Sequence, residues 1–103
     1  KGYYTVPTTT YTAVKDDQLL INTSSNDSGV GSPITITMPS SPSVGDEVTM
    51  IDSGNNLASN NLTVSSSDNI LGSSANLVVS TNGTSFTLVY VNATRGWIYK
   101  DNV

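Results

Sequence analysis

The sequence predicts an all-β fold, a small antiparallel sandwich or barrel-like domain. Three observations carry that expectation. Apolar residues alternate with Thr and Ser in short runs, which is the period of a half-buried strand. No window keeps apolar residues at i, i+3 and i+4 for ten residues, so nothing reads as a helix. Between the runs stand clusters of Gly, Pro, Asn, Asp and Ser, the residues that turns need.

The runs follow one another at fairly regular spacing. Residues 3–6 and 10–14 are short and rich in Tyr and Thr, with Pro7 between them. Residues 1–10 are expected as an N-terminal arm or linker, and 11–103 as one β-domain. The run 18–22 carries Leu19 and Ile21 on one face, after a turn at Lys15-Asp16-Asp17. TSSNDSGVGS at 23–32 reads as an exposed connection. Pro33 opens a run with Ile34, Ile36 and Met38 inward and Thr35 and Thr37 outward. Pro39 and Pro42 end it, because proline gives no N–H to a ladder and pins φ. Gly45-Asp46 then supplies a turn that aims Val48 back into the core.

The run 47–52 adds Val48 and Met50, with Ile51 on the opposite face, and 61–65 adds Leu62 and Val64. Residues 70–71 and 77–79 flank a Gly-Ser-Ser link. The longest run, 85–91, sets Phe86, Leu88 and Tyr90 on one face and Val89 and Val91 on the other. GWIYK at 96–100 closes the chain. The expected core is Ile34, Ile36, Met38, Val48, Met50, Leu62, Val64, Phe86, Leu88 and Tyr90. A strand that is apolar on both faces is buried on both. Either a long loop or another chain therefore covers Val89 and Val91, which are candidate interface residues. Tyr3 and Tyr4 join them, because an N-terminal arm can meet a neighbouring subunit.

Composition bounds the function. A chain of 103 residues makes one domain with a thin core. Charged residues are 12% and the net charge is −4. So acidic a chain has no footprint for a phosphate backbone, and nucleic acid is not an expected partner. No stretch approaches the ~18 apolar residues of a spanning helix, and no basic amphipathic segment suits a lipid surface, so no membrane insertion is expected. The chain begins at Lys1 rather than Met, as expected of a processed product or a piece of something longer. Thirty Ser and Thr residues with so little charge suit the strand faces of a rigid extracellular or virion protein.

There is no cysteine and no histidine. That removes disulfides, thiolate nucleophiles, the usual general base and the commonest transition-metal ligands. The carboxylates are Asp16, Asp17, Asp27, Asp46, Glu47, Asp52, Asp68 and Asp101. None is paired by sequence in the way glycoside hydrolysis requires. No catalytic residue, metal ligand or cofactor is assigned, and no enzyme is expected. The loops at Asp27 and Asp52 are rich in oxygen but lack the EF-hand spacing and read as Asx-turns. Five N-x-S/T sequons, at Asn22, Asn26, Asn61, Asn82 and Asn92, are about what this much Ser and Thr gives by chance. Trp97 with Arg95 offers a candidate glycan platform, since an indole face suits a pyranose ring. The competing reading has Trp97 and Tyr90 closing a C-terminal hairpin.

One resemblance spans residues 11–100. ITITMPSSPSVGDEVTMID (34–52), NNLTV (60–64), ILG (70–72), STNGTSFTLVYV (80–91) and RGWIY (95–99), opened by YTAVKDDQLLINTSS (11–25), resemble a small β-domain of tailed-phage virion proteins. That domain recurs in tail fibres and appendages, often of phages of marine and cyanobacterial hosts. Met38 stands where the family usually has Leu. The resemblance implies an all-β domain in a homotrimer on the virion surface, with other virion proteins as partners and structural or host-attachment duties. A tail fibre or appendage is the expected setting, with a capsid-surface decoration beside it. The alternatives are a carbohydrate-binding module for host-surface glycans and a subunit of a non-viral extracellular filament.

Overall fold

A computed structural model describes residues 1–101, and every regular element among them is a strand. The strands are β1 Tyr3–Thr5, β2 Thr10–Thr12, β3 Gln18–Ile21, β4 Ile34–Thr37, β5 Glu47–Asp52, β6 Leu62–Ser65, β7 Leu77–Val79, β8 Ser85–Asn92 and β9 Gly96–Tyr99. They form a five-stranded sheet A, in the order β1-β3-β5-β8-β9, and a four-stranded sheet B, in the order β2-β4-β6-β7. The all-β expectation holds, with strands where the alternating runs stand.

The expected antiparallel pairing does not. The first six strands alternate between the sheets, and each pairs in parallel with the strand two places on: β1 with β3, β2 with β4, β3 with β5, β4 with β6. The chain thus winds through three coils, each with one strand in either sheet. Only the last strands turn back: β8 lies antiparallel to β5 and β9, and β7 antiparallel to β6. Parallel neighbours need a connection of a dozen residues or more. Here the strand in the opposite sheet is part of that connection. The stiff segment after Met38 is one such crossing, from sheet B to sheet A.

Burial follows the strand period. In β5 half-buried and buried residues alternate along the whole strand, and β3 and β6 do the same. The inward residues of both sheets meet in one core, with Leu19, Ile21, Val48, Met50 and Leu88 from sheet A and Ile34, Ile36, Leu62 and Val64 from sheet B. Of the ten expected core residues only Phe86 stays half-buried. It lies opposite Met50, while the pairing of β8 with β9 stops at Leu88 and Tyr99. Its ring packs on the margin of the core and meets Tyr99 edge-on, with centroids 5.7 Å apart. Val6, Ala13, Leu57, Ile70, Val79 and Trp97 complete the core.

Residues 1–10, expected as an arm, are laid into the fold: β1 is hydrogen-bonded to β3, and Val6 is 1% exposed. At the other end of sheet A, Gly96 turns the chain from β8 into β9 with φ +69°, a region open to glycine. A Cβ there would also lie 1.8 Å from the Asn69 carbonyl oxygen. That oxygen accepts the Trp97 N–H at 2.9 Å, so segment 69–72 runs along the outer edge of β9.

Candidate functional site

The two sheets turn different outer faces to the surroundings. On sheet B the register aligns Thr10 with Thr35 and Thr63, and Thr12 with Thr37 and Ser65. These hydroxyls suit water, and the first row ends at Val78 of β7, which is 57% exposed. On sheet A the outward residues include Leu20, Ile51, Val89 and Ile98, all half-buried and none packed against the core. Val89 sits between Glu47 and Ile98, and Leu20 beside Ile51. Between these two apolar patches the Thr49 and Thr87 hydroxyls bond to each other at 2.7 Å. Glu47 pairs with Lys100 at 3.3 Å, a surface ion pair worth at most about 1 kcal/mol. Val91, at the bulge between Tyr90 and Asn92, is also half-buried.

The proposed interface residues are only partly brought together. Tyr3 belongs to sheet A's outward row, in register with Gln18, Thr49 and Thr87, on the strand farthest from β9. Tyr4 turns the other way. It stacks on Tyr11 of β2 with centroids 5.1 Å apart, across the end of the core. Tyr3 is 63% exposed and Tyr4 43%.

Beside them lies an open cleft of about 630 Å³, lined by Lys1, Val14, Lys15, Asp16, Gln18, Glu47 and Thr49 around Asp17. Asp17 is buried, and its partners fasten the β2–β3 loop. The Tyr11 hydroxyl and the Val14 N–H each donate to Oδ2 at 2.9 Å, and Lys1 Nζ lies 3.0 Å from Oδ1. Burial alone would raise the Asp17 pKa. The Val14 amide, the Lys1 ammonium and the Tyr11 hydroxyl outweigh it and hold the carboxyl below its ordinary value. Burial, with the hydrogen bond to Asp17 and that residue's charge, pushes Tyr11 up to about 12. These groups satisfy one another, so the arrangement is a structural latch.

A second latch closes the opposite end. The Asp52 carboxylate accepts the N–H groups of Asn56 at 3.1 Å, Leu57 at 3.4 Å and Gly83 at 2.9 Å. It thereby ties the β5–β6 loop to the β7–β8 loop. Nearby, Asn56 and Asn60 donate to the Thr23 carbonyl. Asn22 fills the space over Gly54, where a Cβ would meet its Oδ1 at 2.1 Å. Among the described residues, no group of three or more His, Cys, Asp or Glu gathers to hold a metal ion.

The glycan platform is corrected. Trp97 is wholly buried, set edge-on to Tyr90 at 5.6 Å, while Arg95 is exposed on the hairpin loop. An indole enclosed by the core has no face to lend a sugar. The signal for this was present in the sequence, because GWIY carries apolar residues for both faces of a strand. The two carboxylate latches were not legible there, since their partners are backbone N–H groups and side chains that only the fold brings to them. No protein-family model matches the chain, and no curated protein matches it either.

Proposed function

We propose that this is a structural assembly module, a two-layer β-sandwich built on three coils, that works as a homotrimer in a tailed-phage virion. A tail fibre or appendage, or a decoration of the capsid surface, is the setting, with host attachment as an added duty. The observation that carries the assembly reading is the outer face of sheet A. Val89, Ile98, Leu20 and Ile51 lie outside the core and are still only half-buried, while sheet B turns hydroxyl rows outward. Closing sheet A around a threefold axis removes that apolar area from water at about 25 cal/mol per Å². The latches at both ends of the strands support the reading, because a rigid subunit loses little conformational entropy on assembly. The virion setting rests on the sequence resemblance.

Light scattering tests the assembly. The chain should have a mass that is a whole multiple of three times the 10.8 kDa monomer. Replacing Val89 and Val91 together with Lys should release smaller species with the β signal kept. A wild-type chain that stays monomeric at high micromolar concentration sinks the reading. Gold labelling of intact particles tests the setting, and label confined to the host cell refutes it.

A further inference from the structure

We propose that the first coil, β1 with β2, is a second and separate self-association surface. On it the first coil of another copy lays its two strands antiparallel to β1 and β2. β1 is the end strand of sheet A and β2 the end strand of sheet B, on the same side of the molecule. Both edges are open there. The Val6 N–H donates inward to Leu20 and the Ala13 N–H to Thr37. Successive N–H groups alternate along a strand, so those of Tyr3 and Thr5, and of Thr10 and Thr12, point away from the sheets.

Little guards these edges: the Thr8 hydroxyl donates to the outward Thr10 carbonyl at 2.6 Å, and Pro7 lies between the two strands. Neither YYT nor TYT carries a charge, a proline or a bulge, the usual devices against strand pairing. Three of the five exposed large apolar side chains, Tyr3, Tyr4 and Val14, stand on or beside this coil.

The form of the surface selects its occupant. A partner must offer two open strands, one for each sheet, and the first coil of a second copy has that form. Head-to-tail stacking is blocked, since segment 69–72 occupies the outer edge of β9 through the Ile70–Trp97 bridge. The contact therefore closes on itself about a twofold axis, which reverses the strands and makes the new pairs antiparallel. Two three-residue strands, with Tyr3, Tyr4 and Val14 around them, make a small contact, at or below the lower end of specific interfaces. The association is accordingly expected to depend on concentration.

Sedimentation of wild type and of Thr5→Pro/Thr12→Pro tests this. Proline at those positions removes two outward N–H groups and leaves the internal ladder whole. The variant should have half the wild-type mass. That factor of two is distinct from the factor of three lost on changing Val89 and Val91, so the two surfaces are read separately. Amide exchange on the wild type covers the case in which the variant does not fold. The Thr5 and Thr12 amides should exchange at least tenfold more slowly in concentrated than in dilute protein. An unchanged mass with intact fold, or amides that exchange freely at every concentration, overturns the proposal. Equal protection at every dilution in a longer polypeptide of monomeric mass also overturns it, and gives the edge to that polypeptide's own chain.

Discussion

Removing the Asp52 carboxylate should be one of the more damaging polar changes available to this protein. Its three backbone partners differ in what they can recover. Gly83 is exposed and Asn56 half-buried, so in Asp52→Ala both regain hydrogen bonds to water. Leu57 is 0% exposed, and its N–H is left without an acceptor. A bond to a charged acceptor contributes about 1.5–3 kcal/mol, and a stranded buried donor costs about 1–3 kcal/mol. With partial rehydration the sum is about 2–4 kcal/mol. In a domain of this size that lowers Tm by about 10–25 °C. Urea unfolding followed by the fluorescence of Trp97, the single tryptophan, measures it. Asp52→Asn keeps one acceptor oxygen and should lose about half as much. Asp46→Ala is the control, since Asp46 accepts one exposed bond from Ser43 at 2.9 Å and should cost under about 1 kcal/mol. If Asp52→Ala and Asp46→Ala agree within about 0.5 kcal/mol, the clamp is not holding the two loops.

Leu88→Ala should cost about 2–5 kcal/mol by denaturant unfolding, because the side chain is fully buried. Thr35→Ala, on the outer face of sheet B, should cost less than half as much, and equal costs would mean that the strand faces are reversed. At the other latch the pH dependence runs both ways. A carboxyl held below its ordinary value contributes stability that is present above about 3.8 and lost as pH falls through the lower folded value. Acid melts of wild type should show that loss, and Asp17→Asn should lack it. A phenol raised to about 12 contributes stability that is complete below 10 and lost as pH rises from 10 to about 12. Tyr11→Phe should flatten that alkaline decline, and a decline of equal steepness in both proteins would refute the assignment.

What the sequence made legible was local. Strand positions and faces follow from side chains two apart, so Ile34 with Ile36 and Val48 with Met50 could be set in the core before any partner was known. Pairing is not local. The same Asn, Ser and Gly chemistry serves a hairpin and a crossing between sheets, so the loop at 22–33 could not announce that β3 and β4 lie in different sheets. Nor did a repeat give the coils away. Tyr3 aligns with Gln18, fifteen residues on, but Gln18 aligns with Thr49, thirty-one residues on. Leu57 illustrates a third kind of silence. It is a single apolar residue within NNLASNN, with no period around it, yet the folded-over loop buries it completely. Of the proposed surfaces, the valines of β8 were visible as a second apolar face. The open first coil was not, because an edge is defined by what is missing beside it.

The winding of the first six strands also bears on how the chain acquires its shape. None of the first five strands pairs with its successor, so the first half of the polypeptide contains no hairpin to form early. β1 waits for β3 and β3 for β5, while the strand that closes β5 on its other side, β8, begins only at Ser85. Contacts of such long sequence separation must overcome loop-closure entropy before they return any stabilisation, which puts folding in the slow range of milliseconds to seconds. During synthesis the emerging N-terminal half holds its apolar residues without a ladder to place them in. The hairpin of β8 and β9, closed by the three residues 93–95 before Gly96, is the tightest unit able to assemble locally. Without it the nine strands would keep only the shorter β6–β7 pair as a local antiparallel unit.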